Sequence, residues 1–140
     1  YLSRIDSSLF WGVWLNTMFD FGSARYRAGV RNSGLAAFDH AQCKDAYYLY
    51  KTVWNTASPT LYIVGKNRDV RMRDRYPVKV YSSQGRPTLT INGAPVEMKM
   101  LSQGVFSTDT LSLRGRNKIC VSVADMRDSM VLTTGNYLKK

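Results

Sequence analysis

The stretch Phe10–Ser23, FWGVWLNTMFDFGS, decides how the rest of the chain is read. Its start, with LFWGVWL running from Leu9 to Leu15, is a continuous apolar segment. Such a run suits a strand buried on both faces, as in a parallel sheet, because alternation disappears when neither face meets water. Asn16 and Asp20 then place an amide and a carboxylate at the end of the greasiest segment of the protein. Downstream lies a loop rich in Gly, Ser and Arg, DFGSARYRAGVRNSG, and beyond it AQCKDAYYLYKTVW. There Ala46, Tyr47, Leu49, Tyr50, Val53 and Trp54 recur at three- and four-residue spacing, which predicts a helix with one wide apolar face. Pro59 is expected to close it, since proline cannot continue a helix.

From about Thr60 onward no helical period is found. Short β-prone runs take over: TLYIV, VKVYSS, TLTI, PVEMKM, VFSTDTLSL, NKICVSVAD and SMVLTT. Asn92-Gly93, between two of them, is a two-residue hairpin signal, because both central positions of a type I′ turn need positive φ. In KICVSVA, Ile119, Val121 and Val123 alternate with Lys118, Cys120 and Ser122, so one face is buried and the other less so. Seven short strands at this spacing predict an antiparallel β-sandwich of the immunoglobulin kind. The expected division is 1–58, a strand, loop and helix, and 59–140, the sandwich. One strand and one helix cannot cover Phe10, Trp11, Trp14, Phe19 and Phe21, and a large apolar side chain left in water forgoes roughly 1.5–3 kcal/mol of burial. The first part therefore reads as an incomplete piece whose neighbours lie elsewhere in a longer polypeptide.

Composition narrows the function classes. The chain has 140 residues, 44% hydrophobic and 21% charged, as expected of a globular protein rather than a disordered one. No apolar run approaches the roughly 18–20 residues that span a bilayer. Net charge is +10, yet the densest basic cluster, GKNRDVRMRDR from Gly65 to Arg75, is interrupted by Asp69 and Asp74. Such alternation of sign marks a solvated loop, and no nucleic-acid partner is expected. Cys43 and Cys120 show no metal-ligand spacing, and His40 has no second His nearby. No metal or cofactor is therefore expected. The two thiols leave both free cysteines and a disulfide open.

The segments WGVWLNTMFDFGSARYRAG, NSGLAAFDHAQCKDAYYLYKTVWN and VKVYSSQGRPTLTING closely resemble the end of glycoside hydrolase family two enzymes, bacterial β-galactosidases in particular. In that family the eighth barrel strand ends in a motif of the form WNMFDF. A Gly-Leu step follows, then a helix containing Lys-Asp-Ala-aromatic-Tyr, then an immunoglobulin-like domain opening with VKVYSN. The resemblance implies the terminal strand-loop-helix unit of a (β/α)8 barrel, α+β in class, followed by the sandwich. Active sites of such barrels lie at the C-terminal ends of the strands. Asn16 and Asp20, with Trp14 behind them, are thus expected at the rim of a sugar pocket as substrate-binding residues. Asn16-Thr17 stands where the motif has Trp-Asn, so the family's aromatic platform is displaced, leaving Trp14 or Trp11 to serve if the backbone shifts. Asp20 has a structural alternative as acceptor for loop amides or for Arg25 or Arg27.

Members acting on glucuronides carry Asn-x-Lys-Gly. Here Arg31-Asn32-Ser33-Gly34 lacks that Lys, which favours a neutral β-galactoside as the partner, bound together with the remainder of the barrel. Retaining glycosidases need two carboxylates about 5–5.5 Å apart. The chain has a single glutamate, Glu97, expected on the solvent side of a strand, so no catalytic residue is assigned and the 140 residues are expected to be silent by themselves. Relatives of this kind are often exported to the periplasm or surface, which is all the resemblance implies about location. The competing readings are a carbohydrate-binding sandwich using Tyr62, Tyr81 and Phe106, and a nucleic-acid contact through Lys66 to Arg75.

Overall fold

In the computed structural model, which describes residues 8, 14–27 and 29–135, β-strands dominate and the described residues form one α-helix. Two units, 1–47 and 48–140, hold together internally. The strand expected from Leu9 to Leu15 falls, over 9–13, outside the described residues, as do Phe10 and Trp11; Trp14 and Leu15 belong to no strand.

In the first unit, β1 (Phe21–Gly22) and β2 (Val30–Arg31) pair antiparallel, Phe21 opposite Arg31 and Gly22 opposite Val30. The Gly- and Arg-rich loop is therefore a small hairpin, tied across its base by Ser23 N–H to Gly29 C=O at 2.9 Å. Helix α1 runs Asp45–Trp54, beginning in the first unit and lying mostly in the second, with Asp45 in its first turn and Lys51 in its last, each matched in sign to the helix dipole. It stops well before Pro59. The Asn55 side-chain oxygen accepts from the N–H groups of Ala57 and Ser58, at 2.9 and 3.2 Å, and this turn diverts the chain first.

The second unit has two main sheets. One has the order β3 (Leu61–Ile63), β6 (Lys79–Ser82), β10 (Val105–Ser107), β9 (Lys99–Ser102). The other has the order β4 (Val70–Arg71), β13 (Met126–Thr134), β12 (Gly115–Val123), β7 (Thr88–Ile91), β8 (Ala94–Val96). A short pair, β11 (Leu111–Ser112) with β5 (Arg75–Tyr76), completes it. Ile63, Val80 and Phe106 of the first sheet share one buried cluster with Leu89, Ile91, Ile119, Val121 and Leu132 of the second. This is the core of a β-sandwich. Phe106 is buried in this core, whereas Tyr62 lies on the opposite face of β3 from Ile63, is buried there and stacks on Tyr48 of α1 with ring centroids 3.7 Å apart.

The Asn92-Gly93 turn forms as expected, with φ of 53° and 85°. Asn92 does more than bend the chain: its side chain donates to Asn117 Oδ1 at 3.0 Å and accepts from Lys118 N–H at 2.8 Å. Two runs read as single strands are each broken. PVEMKM is divided between β8 and β9, in different sheets, with Met98 turned into the core at the crossing and Glu97 exposed beside it. Glu97 faces solvent as expected, but from the step between strands. VFSTDTLSL is divided at Thr108, whose hydroxyl accepts from Val78 N–H at 3.0 Å. Conversely, the charged loop from Gly65 to Arg75 contains β4, which pairs parallel with β13. Its charges are engaged too: Arg71 lies 4.9 Å from the Tyr76 ring centre, Arg114 pairs with Asp74 at 3.1 Å, and Lys66 pairs with Asp128.

Candidate functional site

The site built around Asp20 starts from backbone pairing. Ala36 N–H donates to Met18 C=O at 2.9 Å, and Asp20 N–H donates to Ala36 C=O at 3.0 Å, so Phe19 and Ala36 run side by side in a parallel bridge. Ala36 also bridges Cys43 antiparallel, with Lys44 N–H donating to Leu35 C=O at 2.8 Å. Three segments remote in sequence thus meet at one buried small residue, Ala36. Gly34 enters this junction so closely that a Cβ would overlap the Phe19 carbonyl and the Asp20 nitrogen, and only glycine fits.

The crossing delivers the Asp20 carboxylate to two donors. Its Oδ1 accepts from Gly34 N–H at 2.9 Å and from the Lys44 ammonium at 2.5 Å. Asp20 is buried, while the Lys44 side chain remains 30% exposed. The Lys44 ammonium holds the Asp20 carboxyl below the ordinary carboxylate range; burial works against it, and the Gly34 N–H assists. A carboxylate held ionised in this way is a clamp and an acceptor. It is poorly placed to act as a general acid, which must carry a proton near working pH. Of the structural partners expected from the sequence, a loop amide is present in Gly34 N–H, while the cation is Lys44 in place of Arg25 or Arg27. Lys44 and Gly34, 24 and 14 positions away, had no local signal tying them to Asp20.

The other expected rim residues are surface-presented. Trp14 is 70% exposed and Asn16 is exposed, so both offer their groups outward while Asp20 is engaged internally. The same unit carries further exposed or half-exposed rings. Phe19 stacks on His40 at 3.8 Å between ring centres, and Arg31 lies 5.9 Å from the Phe21 ring centre and 5.8 Å from that of Tyr26. Leu15, Met18, Phe21, Tyr26 and Phe38 are all exposed beyond what an isolated fold favours. Asp39 accepts from Ala41 N–H at 3.0 Å in a local turn. Neither Cys43 nor Cys120 forms a disulfide. Among the described residues no group of three His, Cys, Asp or Glu is placed to hold a metal ion, and no helix is long and apolar enough to cross a membrane.

No family model matches the chain. A curated β-glucuronidase of Bacteroides fragilis is 33% identical over 87 residues, which are 59% of this chain and 12% of that protein. The crystal structure of an FMN-binding β-glucuronidase from Faecalibacterium prausnitzii L2-6 matches 84% of this chain with a TM-score of 0.74 and 32% identity, over 18% of its own length. A protein of Bacteroides fragilis that carries a β-galactosidase name matches 88% of the chain with a TM-score of 0.78; at 24% identity and 20% of its own length it speaks to the fold alone. The chain therefore spans only a small part of each of these three relatives. Those relatives are glycoside hydrolases of the β-glucuronidase and β-galactosidase kind.

Proposed function

We propose that this chain is the C-terminal part of a family-two exo-glycosidase, a retaining β-galactosidase releasing terminal β-linked galactose, and that it supplies the last strand-loop-helix unit of a (β/α)8 barrel and an immunoglobulin-like sandwich. The observation that carries the reading is the match over 84% of the chain, at 32% identity, to 18% of a β-glucuronidase. The exposed rings of the first unit support it, since a wall from Trp14 to Phe38 is what a barrel edge presents before its neighbours cover it. In this reading Asn16 and Trp14 reach the sugar directly. Asp20 contributes through the segment it locks to Gly34 and Lys44. The catalytic carboxylates belong to other strands of the longer polypeptide, and the 140 residues do not hydrolyse substrate alone.

A β-glucuronidase is the second reading, favoured by the names of the relatives at 33% and 32% identity. The absence of Lys at Ser33 favours the neutral sugar instead. Aryl β-galactoside and aryl β-glucuronide offered to the longer polypeptide separate the two. Turnover of the galactoside alone supports the first, and turnover of the glucuronide alone replaces it. Hydrolysis by the 140-residue chain itself, abolished by Glu97→Gln, would overturn the assignment of the chemistry to other strands.

A further inference from the structure

The outer face of the five-stranded sheet carries a groove of about 610 Å³. Its origin lies in the strand register. Cys120 on β12 stands opposite Thr90 on β7 and Ser129 on β13, and in the next row Ser122 stands opposite Thr88 and Arg127. The alternate residues Leu89, Ile119, Val121 and Leu132 are buried in the core, so the paired rows face away from it. Short side chains pave the floor, while Lys118 and Arg127 rise beside it and the β12–β13 turn at Ala124 bounds the end.

The chemistry of this face is one-sided. Among the described residues of the five strands, the outward positions hold Arg116, Lys118 and Arg127 and no carboxylate. Asp128 borders the groove, but its carboxylate is engaged by Ile63 N–H at 2.9 Å and by the Lys66 ammonium. Four hydroxyls, from Thr88, Thr90, Ser122 and Ser129, each provide one donor and two acceptor lone pairs. The groove volume lies within the roughly 300–1,000 Å³ of ligand clefts, but the lining is hydroxylic and cationic rather than apolar. No aromatic ring lines it, so neither base stacking nor a greasy peptide anchor is offered. Hydroxyls in rows between two cations match a ligand that is itself polyhydroxylated and negatively charged.

We propose that this groove binds an acidic oligosaccharide, with Lys118 and Arg127 pairing its carboxylates and the Ser and Thr rows hydrogen-bonding its hydroxyls. Binding through exposed charges is salt-sensitive, because ions screen such pairs beyond about 10 Å at 0.1 M. The test is calorimetric titration of the full chain with a galacturonic acid tetramer, a neutral glucose tetramer, a glutamate hexapeptide and a thymidine hexanucleotide. The acidic sugar is expected to bind and the other three to bind much more weakly. Lys118→Gln with Arg127→Gln is expected to weaken binding by at least about tenfold, as charge-assisted hydrogen bonds are the strong ones. Lys79→Gln, on the other sheet, is expected to leave it unchanged. Alkylation of Cys120 supplies a second readout on the unaltered chain, should the double variant fail to fold. The acidic sugar is expected to slow it, with Cys43 as the internal control. No binding of the acidic sugar, equal binding of any of the other three probes, affinity of the double variant within about twofold of the parent, or unaltered Cys120 alkylation at saturation would each overturn the proposal.

Discussion

Removing the Asp128 carboxylate tests how the sandwich is closed. Ile63 lies on β3, an edge strand, where one row of N–H groups faces away from the neighbouring strand. Left bare, such an edge invites pairing with other chains. Here Asp128, from β13 of the opposite sheet, accepts the Ile63 N–H at 2.9 Å and also pairs with Lys66. Ile63 is fully buried, so Asp128→Ala strands its N–H without water. A hydrogen bond to a charged group contributes about 1.5–3 kcal/mol, and an orphaned buried donor costs a comparable amount, so the loss should be about 2–3 kcal/mol. The Lys66 pair adds little, because its side chain is 30% exposed and such pairs are worth about 1 kcal/mol or less after screening. Asp128→Asn keeps one oxygen for Ile63 but loses the ion pair, the acceptor for Ser129 N–H at 2.9 Å and the charge on the Ile63 bond, so it should cost about 1–2 kcal/mol and less than the alanine variant. Thermal unfolding followed by circular dichroism should place the alanine variant about 10–15 °C below the parent, at several degrees per kcal/mol for a unit of this size. Hydrogen exchange at the Ile63 amide should accelerate in the alanine variant and stay near the parent rate in the asparagine one. Equal losses in the two variants would refute the reasoning, since charge and not the capped amide would then carry the stability.

The clamp at Asp20 makes two further predictions. Because its folded pKa is lowered, its contribution is complete above the ordinary value of 3.8 and is lost as pH falls through the lower folded value. Thermal midpoints measured across the acid range should therefore fall more steeply for the parent than for Asp20→Asn, and parallel curves would show the carboxylate to be unlinked to folding. Gly34→Ala should destabilise the first unit by about 1–3 kcal/mol through overlap with the Phe19–Asp20 backbone. Loss of slowed exchange at the Ala36 amide is the local readout, and a silent Gly34→Ala would mean that the segments do not cross so closely.

Much of the architecture could be read in one dimension because its causes are local. The period of Ala46 to Trp54 needed no neighbour to declare a helix, and Asn92-Gly93 declared a hairpin by φ alone. The alternation of Ile119 and Val121 with Lys118, Cys120 and Ser122 settled which way β12 faces, and so which groups the outer groove presents. What stayed hidden depends on segments far apart. β4 pairs in parallel with β13 some sixty positions away, and a two-residue strand inside a charged loop has no period of its own. Nothing between Pro95 and Met100 marks the step from one sheet to the other, because Met98 reaches the same core from either. Asp20 shows the division most sharply. Its place after an apolar run singled it out, but whether it would meet Arg25, Arg27, a sugar or Lys44 was decided by the crossing at Ala36. The energy of a buried charge is set by the donors that surround it in space, and chain order does not encode that set.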